Sequence, residues 1–211
     1  TACAGDDLAA AQGVLAAFLD ANPGTAAGQF AASQAKRMAA RLGLPESRIA
    51  ILSSFTIHPL EPHLAATEFL AGRRLAFLSV PYEQWHGALA APGPLDDFAP
   101  TLGILLLHLE DAAPLLARRH LAAAAELDDE AERLMEAIAE AVAACRRRLP
   151  APLALSTFIA AERGVERYFD RREEPSRQGR IDALNARVGA IARAHPNLYV
   201  LDYAETVADH G

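Results

Sequence analysis

The chain has 211 residues, 52% of them hydrophobic and 22% charged, with a net charge of −7 and a pI near 5.5. That is enough apolar material for one sizeable core without metals or disulfides, and the acidic balance disfavours a phosphate backbone as partner, so no nucleic acid is expected. Cys3 and Cys145 are too few to staple a secreted scaffold and lack metal-ligand spacing. No long uncharged apolar run and no basic n-region is present, so the reading is a cytoplasmic chain with no membrane span and no signal peptide.

Residues 6–43 carry two amphipathic helical patterns, Leu8, Val14, Leu15, Phe18 and Leu19, then Ala31, Ala35, Met38 and Leu42, separated at Asn22-Pro23-Gly24. Residues 1–45 are therefore read as a helical N-terminal prefix and 46–211 as an α/β domain. In the second part short apolar runs alternate with helical stretches. Strands are predicted at 48–53, 75–80, 102–108, 153–157 and 198–202, and helices at 62–72, 82–91, 125–148 and 175–194. The helix over 125–148 has Leu127, Ala131, Leu134, Ile138, Val142 and Cys145 along one face.

Strands separated by helical crossovers imply a parallel sheet covered on both faces. The expectation is a three-layer, flavodoxin-like fold with a five-stranded parallel sheet in the order 2-1-3-4-5. Ligands of such sheets meet the loops at the carboxyl ends of the strands. Those loops are 53–59, 81–86, 108–111 and 156–161, with Asp202 and His210 after the last strand.

The first strand ends in Ser53-Ser54-Phe55-Thr56, followed by His58. A serine at a strand-to-helix turn can project its hydroxyl into the crevice as a nucleophile, with nearby N–H groups as oxyanion donors, or it can simply make a turn or cap. His58, His86 and His108 follow three different strands, with Glu110 and Asp111 close behind. They either converge as a metal site or a base for Ser54, or stand as separate loop residues, which is the reading taken; no metal site is assigned. Tyr82, Gln84 and Trp85 form an aromatic, polar lip, or Trp85 packs a helix onto the sheet. Arg163, Arg167, Arg171 and Arg172 mix with acidic residues after the fourth strand, as a solvated excursion or a docking surface for an acidic partner.

Four blocks carry a resemblance: IAILSSFTIHPLEPHL, FLSVPYEQWHGAL, LGILLLHLEDAA and LYVLDYAETVADHG, spanning about Arg48 to Gly211. In this order they resemble the SGNH-hydrolase-like N-terminal region of FkbH-type proteins. The resemblance implies an SGNH-like fold, joined in the full family proteins to a downstream phosphatase-like domain of the haloacid dehalogenase superfamily. Those proteins load a glyceryl group onto an acyl carrier protein in polyketide biosynthesis. It further implies an acyl carrier protein as partner, no bound cofactor, and the carrier's phosphopantetheine arm as a ligand. The phosphatase-like domain needs a DxDxT-type motif, which these residues lack, so a detached domain or a part of a longer chain is expected.

On the SGNH pattern, residues 52–56 fall on G-D-S-L-T, which puts Ser54 on the nucleophile, with His210 as its base and Asp202 as orienter. Ser53, Thr56, His58, Tyr82, Gln84, Trp85, His86, His108, Glu110 and Asp111 are then the expected substrate-binding residues. Two departures stand out. Glu110 replaces the asparagine of the G-x-N-D block, and no aspartate stands three residues before His210. Three readings follow: an accessory domain that binds a carrier protein or its acyl thioester, an active esterase, thioesterase or acyltransferase using Ser54, and a purely structural module.

Overall fold

The computed structural model describes residues 2–117, 123–159, 176–203 and 205–206. Five strands form one parallel sheet in the order β2-β1-β3-β4-β5, with helices in the crossovers and at the N-terminus. The strands are β1 Glu46–Ser53, β2 Arg74–Val80, β3 Leu102–Leu106, β4 Leu153–Ser156 and β5 Leu198–Leu201. The expected strand order is the observed one. Packing divides the chain into two compact units, Thr1–Ile49 with Thr56–Ser79, and Ala50–Phe55 with Val80–Gly211.

The first unit holds α1 Ala2–Ala21, α2 Thr25–Leu42 and α3 Leu60–Leu70. The helical spacing of its small and apolar residues puts Leu15, Ala31, Ala35, Ala39, Ala66 and Phe69 in one buried cluster. Alanines at the seam let α2 and α3 approach closely. Gly43, at φ 62°, ends α2 with the paired bonds of a Schellman motif, Gly43 N–H to Ala40 O and Leu44 N–H to Ala39 O. The end of α3 is closed from α1, where Gln12 Nε2 donates to the carbonyls of Phe69 and Leu70 at 2.9 and 3.0 Å. Beside it, Arg73 grips the buried Glu68 with two bonds of 2.6 and 3.1 Å, and this holds the Glu68 carboxyl below its usual range.

The second unit contains α4 Trp85–Ala90, α5 Pro94–Phe98, α6 Leu109–Ala112, α7 Pro114–Ala117, α8 Ala124–Arg148 and α9 Arg177–Ala194. The expected face of α8 is buried at Leu127, Leu134, Ile138, Val142 and Cys145, joined by Met135 and Ala141. Register in the parallel ladder sets Gly103 beside Leu153 and Ser156 beside Leu201. Among the described residues, no helix is long and apolar enough to cross a membrane.

Differences from the sequence reading lie at element ends. The helix expected over 82–91 begins only at Trp85, because Gln84 N–H closes a turn onto Pro81 O and Glu83 takes the left-handed conformation at φ 61°. The short helices α5, α6 and α7 were not anticipated. A Pro at the first position and an Asp at the third start α5, with Asp96 accepting from Gly93 N–H at 3.0 Å. The third strand stops at Leu106, two residues before the expected His108, for a reason that builds the candidate site.

Candidate functional site

Past Leu106 the backbone of β3 exchanges strand partners for side chains. Leu107 N–H donates to Ser156 Oγ, at the end of β4, at 3.3 Å. His108 N–H donates to Ser54 Oγ, just past β1, at 2.9 Å. Two serine hydroxyls on neighbouring strand ends thus cap β3 and turn the chain into α6. Ser54, Ser156 and Leu107 are buried and His108 is half-buried, so the hydroxyls satisfy amides that are wholly or partly withdrawn from water.

The Ser54 hydroxyl is engaged on both sides. It accepts from His108 N–H and donates to Asp111 Oδ2 at 3.3 Å, while Ser54 N–H continues the sheet by donating to Leu106 O at 3.1 Å. His108 is the N-cap of α6 and Asp111 its third residue. In a capping box the third residue reaches back to the N-cap amide. Here Ser54 Oγ is inserted between the two. A strand end, a helix start and a carboxylate are thereby linked in one relay.

Asp111 is exposed, and Tyr82 reaches it from the loop after β2, with the phenol oxygen 3.5 Å from Asp111 Oδ1. Desolvation, then the charges of Asp111 and Glu83, push the Tyr82 phenol above its ordinary pKa, so it stays protonated and a donor. The left-handed Glu83 next to it is a strained position for a non-glycine residue. Ser53 Oγ donates to Phe55 O at 2.7 Å, and the Phe55 ring lies flat on the His108 imidazole, 3.8 Å between centroids and 10° from parallel. The site therefore has a planar wall beside a hydroxyl–carboxylate–phenol line.

The other expected residues are placed as follows. Thr56 and His58 are exposed in the segment after β1, which belongs to the first unit. Gln84 is the exposed N-cap residue of α4, and Trp85 meets His86 edge-on at 5.5 Å. Glu110 is half-buried in α6. Asp202 caps the turn after β5, its Oδ1 taking Glu205 N–H at 2.9 Å and Thr157 Oγ1 at 3.3 Å. His210, its expected partner, lies outside the described residues, as do Arg163, Arg167, Arg171 and Arg172. Among the described residues, no imidazole is hydrogen-bonded to Ser54, and no group of three or more His, Cys, Asp or Glu gathers as a metal site.

Sequence reasoning did not foresee Asp111 as the direct partner of Ser54. The available signal was the spacing from His108 to Asp111, three residues at a strand-to-helix junction, which is the capping-box interval. It also missed Asn185, which clamps the loop after β4 by accepting from Phe158 N–H at 2.7 Å and donating to Phe158 O at 3.0 Å.

No protein family and no curated protein matches the sequence. Among solved structures, the fold is similar to the N-terminal part of the protein BF1531 from Bacteroides fragilis, described as containing a phosphatase domain and complexed with Mg. The TM-score is 0.65 at 17% identity, over 85% of this chain and 47% of that one. The likeness is one of fold, and this chain spans about half the length of its neighbour.

Proposed function

We propose that this chain is the SGNH-like α/β domain of an FkbH-type, cytoplasmic carrier-protein loading system. In this reading it binds an acyl carrier protein or its acyl thioester at the Ser54 edge, beside a downstream phosphatase-like domain. Two things support the reading. The ordered sequence blocks resemble that family, and the fold is similar to the N-terminal part of a protein described as containing a phosphatase domain.

The observation that favours binding over hydrolysis is the bonding of Ser54. An attacking serine needs a base on its hydroxyl and donors aimed at the developing oxyanion. Ser54 has a carboxylate on its hydroxyl, and its own N–H is committed to Leu106 O. A serine nucleophile is ordinarily activated by an imidazole, and here the group on the hydroxyl is a carboxylate. The arrangement suits a hydroxyl that holds a binding edge in shape.

The test is titration of the isotope-labelled chain with a carrier protein, with and without its phosphopantetheine arm. The reading expects shifts at the Ser54 edge only with the arm attached. No interaction with either form contradicts it. Acyl transfer or ester hydrolysis abolished in Ser54→Ala would move the assignment to an active serine hydrolase.

A further inference from the structure

We infer that the outer side of α1 and α2 is the interface through which two copies of this chain associate, each copy laying its α1 on the α2 of the other. The first observation is the composition of α1. From Leu8 to Leu19 the helix carries no charge. A helix without a charged side is ordinarily covered on every side. α1 is covered on one side only, where Leu15 joins the buried cluster and Leu8, Ala11, Phe18 and Leu19 pack against it. Its other side presents Ala10, Gly13, Val14, Ala17 and Ala21 to solvent, at spacings of three and four residues.

Two large apolar side chains lie on that outer side. Val14 is 73% exposed, and Phe30, on α2, is 53% exposed. They belong to one patch. Val14 stands one helical turn before Phe18, whose ring meets the Phe30 ring at 5.3 Å between centroids. The patch therefore runs from α1 onto α2, as a surface that another pair of helices can cover.

Charge identifies the occupant as a second copy. The first unit contains six carboxylate side chains and six Lys or Arg, so the whole net charge of −7 falls on the second unit. Copies that meet through the first unit avoid the repulsion that the second would bring. The patch is also complementary to itself. α1 carries only acids, with Asp7 and Asp20 exposed near its ends, and α2 carries only bases, Lys36, Arg37 and Arg41. Glu61 takes Lys36 at 3.4 Å, whereas Arg37 and Arg41, both exposed and one turn apart, pair with no carboxylate among the described residues. Packing α1 on α1 sets acid against acid, and α2 on α2 sets base against base. Packing α1 on α2 joins opposite signs, and a two-fold axis makes that contact twice.

The experiment is sedimentation velocity on the full chain over a range of concentrations, with folding of each variant checked by circular dichroism. The expected result is a monomer–dimer equilibrium. Val14→Asp, at an exposed position with little packing to lose, weakens it about tenfold or more. Two double variants test the pairing of the helices. Asp7→Lys with Asp20→Lys makes α1 basic, and Arg37→Glu with Arg41→Glu makes α2 acidic, so each protein self-associates less than wild type. An equimolar mixture of the two recovers the dimer, because every α1–α2 contact between them again joins opposite signs.

A wild-type chain that stays monomeric at every concentration, a dimer undiminished by Val14→Asp, or a mixture of the double variants that stays monomeric overturns the inference. Saturable binding of a carrier protein to a monomeric chain, lost in Val14→Asp, also overturns it and gives the face to a different partner. None of these variants touches Ser54, so failure of the dimer leaves the reading of the Ser54 edge as it stands.

Discussion

Ser54 and Asp111, 57 residues apart in sequence, meet at 3.3 Å where β1 and β3 end, and the Ser54 hydroxyl carries the hydrogen bond on to His108 N–H at 2.9 Å. This relay makes Ser54 part of the architecture of the edge as well as of its surface. The amide of half-buried His108 depends on it. Ser54→Ala is therefore expected to destabilise the chain by about 1–2 kcal/mol, the loss of a hydrogen bond to a donor partly withdrawn from water. Urea denaturation measures it, and a change within about 0.5 kcal/mol would show that the hydroxyl does not hold the β3–α6 junction.

A second anchor is Arg148, at the C-terminal end of α8. Its guanidinium pairs with Asp96 at 3.0 and 3.3 Å and donates to the carbonyls of Leu89, Ala91, Ala144 and Ala88, closing the ends of α4 and α8. Arg148→Ala removes the donor shared by those carbonyls and the half-buried Asp96 carboxylate and should cost about 1–3 kcal/mol in denaturant unfolding. Arg148→Lys should recover little, because an ammonium cannot reproduce the fork. Near-complete recovery by lysine would contradict the assigned geometry.

Acid should weaken the fold through two carboxyls. Arg148 holds Asp96 below the usual carboxylate range, and Arg73 does the same to Glu68. Each contribution is fully present above the unfolded-state pKa of about 4 and is lost as pH falls through the lowered folded-state value. Urea midpoints taken from pH 6 down to pH 3 should fall less steeply in Asp96→Asn and Glu68→Gln than in wild type. Parallel curves would show that neither pair titrates with folding.

The sheet was readable because its signals are additive: apolar runs of strand length, crossovers of helix length and the handedness of βαβ units leave few orders to choose from. The helical face of α8 was readable for the same reason. What escaped was set by contacts between distant residues. The stop of β3 at Leu106 depends on Ser54 and Ser156, neither of which is near it in sequence. The start of α4 depends on a left-handed Glu83, a conformation that glutamate does not advertise. Within the site, Ser54, Tyr82, His108 and Asp111 could each be picked out as strand-end residues. Their roles could not be, since spacing reveals neither that His108 contributes its backbone nor that Asp111 faces the serine.

Tyr82 gives a spectroscopic handle on the same edge. Its phenol is raised by desolvation and by the nearby Asp111 and Glu83 carboxylates. Asp111→Asn removes one of those charges, so Tyr82 should ionise closer to its ordinary value of about 10. The change is read by ultraviolet titration as the difference between each protein and the same protein carrying Tyr82→Phe. An unchanged Tyr82 titration would place the phenol away from Asp111.

The central claim, that Ser54 shapes a binding edge and does not attack, is tested most directly by intact-mass analysis after exposure to a fluorophosphonate that modifies activated serines. The account predicts a folded, unmodified protein, because the Ser54 hydroxyl is bound to Asp111 and to His108 N–H, and Ser54 N–H to Leu106 O. A single adduct that disappears in Ser54→Ala would contradict it and establish a nucleophilic serine at this edge.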